Sequence, residues 1–423
     1  MNIRIKGGNK LKGEITPSGS KNSVVALIPA TLLFDKPITL SNVPDITDVT
    51  RLIEILTKMG SKITWDKKLK TLNINNKDVF FNKADVGQEK GIRGTTLLWG
   101  PMLARFGRAT SEEQPAGCTL GARPIDPHYQ AFMDLGVIMN GYDMNAKSAK
   151  AGNIWLLEAS PTATENAIML AVKLPGTTTI NHAACEPHVQ DLCNFLNTCG
   201  ADISGIGSNV ITINGGKPLT AKDYRVISDI YEVGTFLALG ALTGGEIKVN
   251  DALPQHSTAI NREFAKFGIE IKYNGDVATV SSNQKITITK TKSPMIVRAQ
   301  PWPALPVDML PLFIPLALAA PSGQTMFHNW MYESGLFWTS ELIKLGANIV
   351  MSDPHRVLVL SGNKLKGARM DAPYIIRATI SMMMAAMISE GESIITSADS
   401  ILRAHPNFVE NLKKLGADIE EVE

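Results

Sequence analysis

One arrangement of apolar and polar positions recurs six times along the chain. An apolar residue, two variable residues and a second apolar residue precede a glycine; a small or apolar residue, a variable one and Ile follow it. The copies begin with Leu56-Thr57-Lys58-Met59-Gly60-Ser61-Lys62-Ile63 and the shorter Phe132-Met133-Asp134-Leu135-Gly136-Val137-Ile138. They continue around Gly200, Gly268, Gly346 and Gly416, at separations of 76, 64, 68, 78 and 70 residues from Gly60 onward. A glycine free to take left-handed dihedrals after an amphipathic run ends a helix, and the apolar residue beyond it opens a strand.

A second shared feature lies some 30–40 residues upstream of each glycine: an apolar stretch of helix length, as in Asn22–Leu33, Asn166–Leu174, Tyr231–Leu242, Leu310–Ala319 and Thr379–Ile388. A Gly- or Pro-marked turn and a short strand follow, as in Pro37–Leu40, Thr177–Asn181, Glu246–Asn250 and Glu392–Thr396. Each unit reads helix, strand, helix, strand, with a trailing strand. A spacing of 64–78 residues is too long for a thin solenoid. The pattern predicts two α/β domains of three units each, with a crossover near Tyr224–Asp229.

Composition narrows the class. The 423 residues, 44% hydrophobic and 19% charged, are enough for two or three packed domains. A net charge of +2 with no long basic run argues against a general nucleic-acid binder. The N-terminus MNIRIKGGNK has no apolar core of a secretory signal, and the longest apolar stretch, Met309–Ala320, has 12 residues and two prolines, short of the ~20 that a membrane span needs. Four cysteines fit a reducing compartment. The expectation is a soluble cytoplasmic protein, with neither membrane nor nucleic acid as partner.

Candidate chemistry gathers at loops and helix starts. Cys118 sits in Pro115-Ala116-Gly117-Cys118-Thr119-Leu120-Gly121-Ala122-Arg123-Pro124, where glycines and prolines predict a mobile loop over 112–124. Arg123 nearby would lower the thiol pKa. Lys21 and Asn22 follow Ser18-Gly19-Ser20 at the entry of the first apolar helix, where exposed N–H groups beside an ammonium favour an anion. Arg93 and Arg377 open the corresponding helices of units two and six. Asp308, in Pro306-Val307-Asp308-Met309, suits either an N-cap or a general base. His182, Cys185, His188 and Cys193 mimic zinc spacing, but they fall on a strand and an amphipathic helix and are not read as a metal site. No metal or other cofactor is expected.

Several stretches together carry a resemblance: GEITPSGSKN (13–22), GPMLARFG (100–107), PAGCTLGARP (115–124), AACEP (183–187), DIYEVGTF (229–236) and PWPALPVD (301–308). In this order over the whole chain, the sequence resembles the enolpyruvyl transferase family, and within it the carboxyvinyltransferases of early peptidoglycan synthesis that act on UDP-N-acetylglucosamine. That resemblance implies an inside-out α/β barrel fold in two lobes, one spanning 21–228 and the other 1–20 with 229–423. It implies phosphoenolpyruvate and UDP-N-acetylglucosamine as substrates, with release of phosphate. It assigns Cys118 as general acid and target of fosfomycin, and Asp308 as general base. Lys21, Arg123 and Arg403 become contacts to phosphoenolpyruvate and Asn22 a contact to the sugar nucleotide; Arg93 and Arg377, by the repetition of charge at helix starts, are read as further substrate-binding cations. Asp229 and Glu232 are given structural or interlobe contacts, and Glu186 a place near the nucleotide.

The sequence departs from the family pattern at four places. Gly335 replaces an arginine, Ile375 replaces an aspartate, Leu402-Arg403-Ala404 replaces Asp-Arg-Gly, and Ala116-Gly117-Cys118 replaces Gly-Gly-Cys. These departures leave open a related transferase with another nucleotide, sugar or shikimate-like acceptor, or a sugar-nucleotide-binding regulator.

Overall fold

The computed structural model describes residues 1–81, 93–111, 121, 124–289 and 292–422. Cys118 and Arg123 lie outside the described residues. The chain divides into two compact units, one holding Met1–Ser18 and Ser228–Glu423, the other drawn from between Gly19 and Ile227.

Within the unit between Gly19 and Ile227, the first repeat runs as helix Lys21–Ala30, strand Ile38–Ser41, helix Thr47–Lys58 and strands Lys62–Asp66 and Thr71–Asn75. The third repeats this order with Pro161–Ala171, Gly176–Asn181, Pro187–Thr198, Ile203–Ser204 and Val210–Gly215. The second has the same order on a smaller scale, from Trp99–Phe106 to Asp143–Asn145. The other unit holds repeats four, five and six, led by helices Ile230–Thr243, Leu310–Ala319 and Ile376–Met387.

The sheets show how each set of three closes on itself. Repeat five is the plain case: strand Gln324–His328 pairs antiparallel with Arg356–Leu360 and parallel with Met295–Arg298, which comes from just before its own helix. In repeat four the parallel edge strand is Lys12–Ile15, and in repeat six the trailing strand is the N-terminal Asn2–Lys6, inserted between Glu392–Thr396 and Asp418–Val422. Repeat one likewise takes its parallel edge, Tyr224–Arg225, from the end of repeat three. The repeat pattern alone puts a sixth trailing strand after Gly416. The strand Asn2–Lys6 fills that place instead.

Why the helices lie inside follows from their composition. Leading helices such as Ile230–Thr243 and Ile376–Met387 have no polar face, and nearly all of their residues are buried. A helix apolar on every side must be covered all round. In each unit the leading helices pack on one another, and sheets of four strands, or three in repeat two, cover them. The strands alternate accordingly: in Arg356–Leu360, Val357 and Val359 point inward and are buried while Arg356 is exposed.

The six glycines do what their spacing predicts. Gly60, Gly136, Gly200, Gly268, Gly346 and Gly416 all have positive φ, between 71° and 100°. The next N–H turns back to the carbonyl five residues earlier every time, from Ser61 N to Leu56 O (2.9 Å) through Ala417 N to Leu412 O (2.9 Å). This is the Schellman closure, which satisfies helix-end carbonyls that would otherwise be buried unpaired.

The caps differ in how much room surrounds them. A Cβ on Gly416 would meet nothing closer than Lys10 O at 3.8 Å, whereas on Gly60 it would meet Asp78 O at 2.9 Å and the Phe80 ring at 3.3 Å. Gly416→Ala is expected to cost about 1–2 kcal/mol, the left-handed penalty alone, and Gly60→Ala more. Denaturant midpoints of the two variants check this; equal losses would contradict it.

Candidate functional site

In the unit between Gly19 and Ile227, the first helix starts with a Ser20 N-cap that accepts from Ser23 N at 3.2 Å. Lys21 follows it, half-buried, with Nζ 3.7 Å from Asp48 Oδ1. Asp48 is a buried carboxylate in the first turn of helix Thr47–Lys58, and the sequence reading missed it. At this distance it steers the ammonium without a tight ion pair, which leaves N–H groups for an anion. Asn22 is half-buried beside Lys21.

Arg93 opens the 3-10 turn Arg93–Leu98 and donates from Nη2 to Pro124 O at 3.1 Å. Behind it lies a saturated polar core. Asn166 Oδ1 accepts from Gly100 N (2.7 Å), while its Nδ2 group donates to Thr96 O (2.9 Å) and His128 Nδ1 (2.9 Å). That arrangement makes Nδ1 the bare nitrogen and leaves Nε2–H to donate to Thr162 Oγ1 at 3.0 Å. Burial, and secondarily the Arg93 charge, push the His128 pKa down to about 3.

This core changes the meaning of one motif. GPMLARFG is a packing signature in this structure. A Cβ on Gly100 would lie 2.4 Å from Asn166 O, so only glycine allows the two helices this close. Arg105 reaches back to Leu32 O (2.7 Å), Phe34 O (3.1 Å) and Asn76 O (2.8 Å) in repeat one. AACEP is similarly structural: Ala184 N donates to Thr164 Oγ1 at 3.0 Å, and Glu186 precedes helix Pro187–Thr198.

Burial raises the Cys185, Cys193 and Cys199 thiols to about 11, 12 and 11 respectively. They are poor nucleophiles at neutral pH. Among the described residues no group of three or more His, Cys, Asp or Glu is arranged to hold a metal ion, and His182 uses Nδ1 on Leu156 O at 3.0 Å.

In the other unit, Asp308 lies in the 3-10 turn Val307–Met309 ahead of helix Leu310–Ala319. Neither that turn nor the helix has a side-chain cap bond. Of the two readings of Asp308, the N-cap therefore falls away. Arg403 ends the turn Ala398–Arg403, largely buried, with its guanidinium 5.1 Å from the Tyr374 ring centre.

Arg377 is also largely buried. Its Nη1 contacts His405 Nε2, its Nη2 lies 3.7 Å from Asp229 Oδ1, and its guanidinium sits 4.8 Å from the Tyr231 ring centre. Asp229 is the N-cap of helix Ile230–Thr243, accepting from Tyr231 N (2.9 Å) and Glu232 N (3.0 Å). His405 gave no signal in the sequence, because one histidine after Arg403 belongs to no periodicity and no motif.

Gly335 explains itself sterically. A Cβ there would fall 2.1 Å from the buried Asn329 Nδ2, and the Gly335 carbonyl accepts from Trp338 Nε1 at 3.0 Å. Any larger residue here must first displace the end of the buried Asn329 side chain.

Helices enclosed by sheets in two triplets, with cations at the helix starts, define a class: the fold is that of the enolpyruvyl transferases. The structure matches the enolpyruvyl transferase NikO from Streptomyces tendae with a TM-score of 0.83 and 23% identity, covering 99% of this chain and 98% of that one. It matches EPSP synthase from Acinetobacter baumannii with a TM-score of 0.73 and 16% identity over 100% of both chains. The model of the EPSP synthase (3-phosphoshikimate 1-carboxyvinyltransferase) family matches residues 5–412, and the chain belongs to that family. Three similar relatives are each named UDP-N-acetylglucosamine 1-carboxyvinyltransferase. The one from Borreliella burgdorferi is 38% identical, covering 99% of this chain and 98% of its own. Those from Bacteroides thetaiotaomicron (37%; 99% of both) and Bradyrhizobium diazoefficiens (38%; 99% and 97%) are alike in extent.

Two predictions follow from this geometry. His128 takes no proton in the native state until about pH 3, whereas the unfolded chain takes one near 6.5. Acidification between those values favours unfolding, with this residue contributing up to about 1.4 kcal/mol per pH unit. Denaturant titrations from pH 7 to 5 should show stability falling, with a shallower slope in His128→Gln; an unchanged slope would contradict it. Gly335→Arg should destabilise by about 1–3 kcal/mol through overpacking, read as a lower denaturant midpoint. A variant as stable as the parent would contradict the steric account.

Proposed function

We propose that the protein transfers the carboxyvinyl group of phosphoenolpyruvate to the 3-hydroxyl of UDP-N-acetylglucosamine, releasing phosphate, as a step of early peptidoglycan synthesis. The observation that carries this reading is the 36–38% identity to carboxyvinyltransferases of that acceptor over 98–99% of the chain. The solved structures support the fold, and the curated relatives support the acceptor. No described helix is long and apolar enough to cross a membrane, which agrees with water-soluble substrates.

The chemistry assigned to the residues is an addition followed by an elimination. Asp308 takes the proton of the 3-hydroxyl as general base, and the freed oxygen attacks C2 of phosphoenolpyruvate. Cys118 delivers a proton to C3, turning the methylene into a methyl group and giving a tetrahedral intermediate that carries sugar, carboxylate and phosphate. Loss of a methyl proton and cleavage of the C–O bond to phosphate then restore the vinyl group. Phosphoenolpyruvate brings several negative charges, and we assign Lys21, Arg123 and Arg403 to hold them through both steps. Asn22, Arg93 and Arg377 are assigned to the sugar nucleotide and its diphosphate. The two compact units are proposed to serve as the lobes 21–228 and 1–20 with 229–423.

A rival acceptor is the second reading, motivated by Gly335 and Ile375. Phosphate release separates the two. It should require both phosphoenolpyruvate and UDP-N-acetylglucosamine, and turnover with shikimate 3-phosphate in place of the sugar nucleotide would overturn the assignment. Tight sugar-nucleotide binding without phosphate release would favour a regulator.

The thiols give an independent check. Fosfomycin is expected to alkylate Cys118 and to spare Cys185, Cys193 and Cys199, whose burial holds them protonated. Peptide mass spectrometry should find one adduct, absent in Cys118→Ser. Labelling at the buried cysteines with Cys118 untouched would show the nucleophile to be misplaced.

A further inference from the structure

The buried group around Arg377 contains a histidine to which the transfer reaction assigns no part. His405 is enclosed, its ring 5.9 Å from that of Phe408. An arginine nitrogen can only donate, so the contact from Arg377 Nη1 requires His405 Nε2 to accept. The imidazole proton then sits on Nδ1, which lies 3.7 Å from Glu232 Oε2, near enough for attraction and too far for a hydrogen bond. Glu232 is itself buried, and the same oxygen accepts from Ser18 N at 2.7 Å. The chain of contacts therefore runs from a main-chain N–H through a carboxylate and an imidazole to a guanidinium.

A neutral acceptor suits this position. A planar guanidinium has five donors in fixed directions. His405 takes one of those directions, Asp229 Oδ1 lies 3.7 Å from the other terminal nitrogen, and the Tyr231 ring centre lies 4.8 Å from the guanidinium carbon. A second carboxylate in place of the imidazole would offset the positive charge; the imidazole fixes the plane and leaves that charge available.

We propose that His405 is a positioning residue: it holds the Arg377 guanidinium in the orientation that receives substrate, and Glu232 holds the imidazole in its Nδ1–H tautomer. The proposal rests on the transfer reaction assigned above and deepens it at one of its cations. His405 touches no substrate and acts through Arg377.

Two substitutions and one spectrum test this. His405→Phe keeps a ring against Phe408 and removes the acceptor, whereas His405→Gln keeps a side-chain oxygen able to accept from Arg377. His405→Phe should raise KM for UDP-N-acetylglucosamine about tenfold, the loss of one hydrogen bond to a charged group, with kcat changed less than threefold. His405→Gln should recover KM to within about threefold of the parent. A parental KM in the phenylalanine variant, or a glutamine variant no better than the phenylalanine one, would overturn the proposal. Nitrogen-15 spectra of the histidine-labelled protein should show His405 protonated at Nδ1 and bare at Nε2, and an Nε2–H tautomer would overturn the proposal without reference to turnover. If instead the parent releases no phosphate while the spectrum shows the Nδ1–H tautomer, the assigned reaction has failed and the orienting contact stands.

Discussion

Helices that are apolar on every side impose the architecture. Ile376–Met387 and Leu310–Ala319 offer no face to water, so each needs cover all round. Burying a large aliphatic or aromatic side chain contributes about 1.5–3 kcal/mol, and roughly half of the positions in these helices supply one. Three in a unit cover one another in part, and the sheets cover the rest. Three of the sheets complete that cover with a strand from a distant part of the chain. The borrowed strands Asn2–Lys6, Lys12–Ile15 and Tyr224–Arg225 are where the closure is made.

The same constraint decides where chemistry is possible. Residues in the middle of the leading helices are committed to packing, and Asn166 there is saturated within the fold together with His128 on the neighbouring helix. Only the helix starts are free to present donors and charges. Lys21, Arg93, Asp308 and Arg377 all occur at such starts or in the turn just before one. The repeated supersecondary unit thus places charged side chains, three cations and one carboxylate, at four helix starts.

Much of this was legible in the sequence because its causes are local. A left-handed glycine after an apolar spacing is a short-range signal, and all six glycines carry it. What escaped the sequence depends on long-range pairing or on single side chains. The N-terminal strand completes a sheet with residues nearly four hundred positions away, and nothing in MNIRIK announces a partner. Asp48 and His405 are isolated polar residues whose meaning comes from what packs against them. Gly100 and Arg105 were legible as a motif, but not as the helix contact and carbonyl clamp that they prove to be. Asp308 shows the reverse case: the sequence left two roles open, and the missing cap bond removes one.

The central claim is that carboxyvinyl transfer to UDP-N-acetylglucosamine proceeds by protonation of the phosphoenolpyruvate methylene carbon and later loss of a proton from the resulting methyl group. Running the reaction in deuterium oxide and recording the mass and proton spectrum of the nucleotide product tests that claim most directly. The account predicts a carboxyvinyl ether on the sugar 3-oxygen with deuterium in its vinyl group. A product whose vinyl group carries no deuterium, or a deuterated product built on a different acceptor, would contradict it.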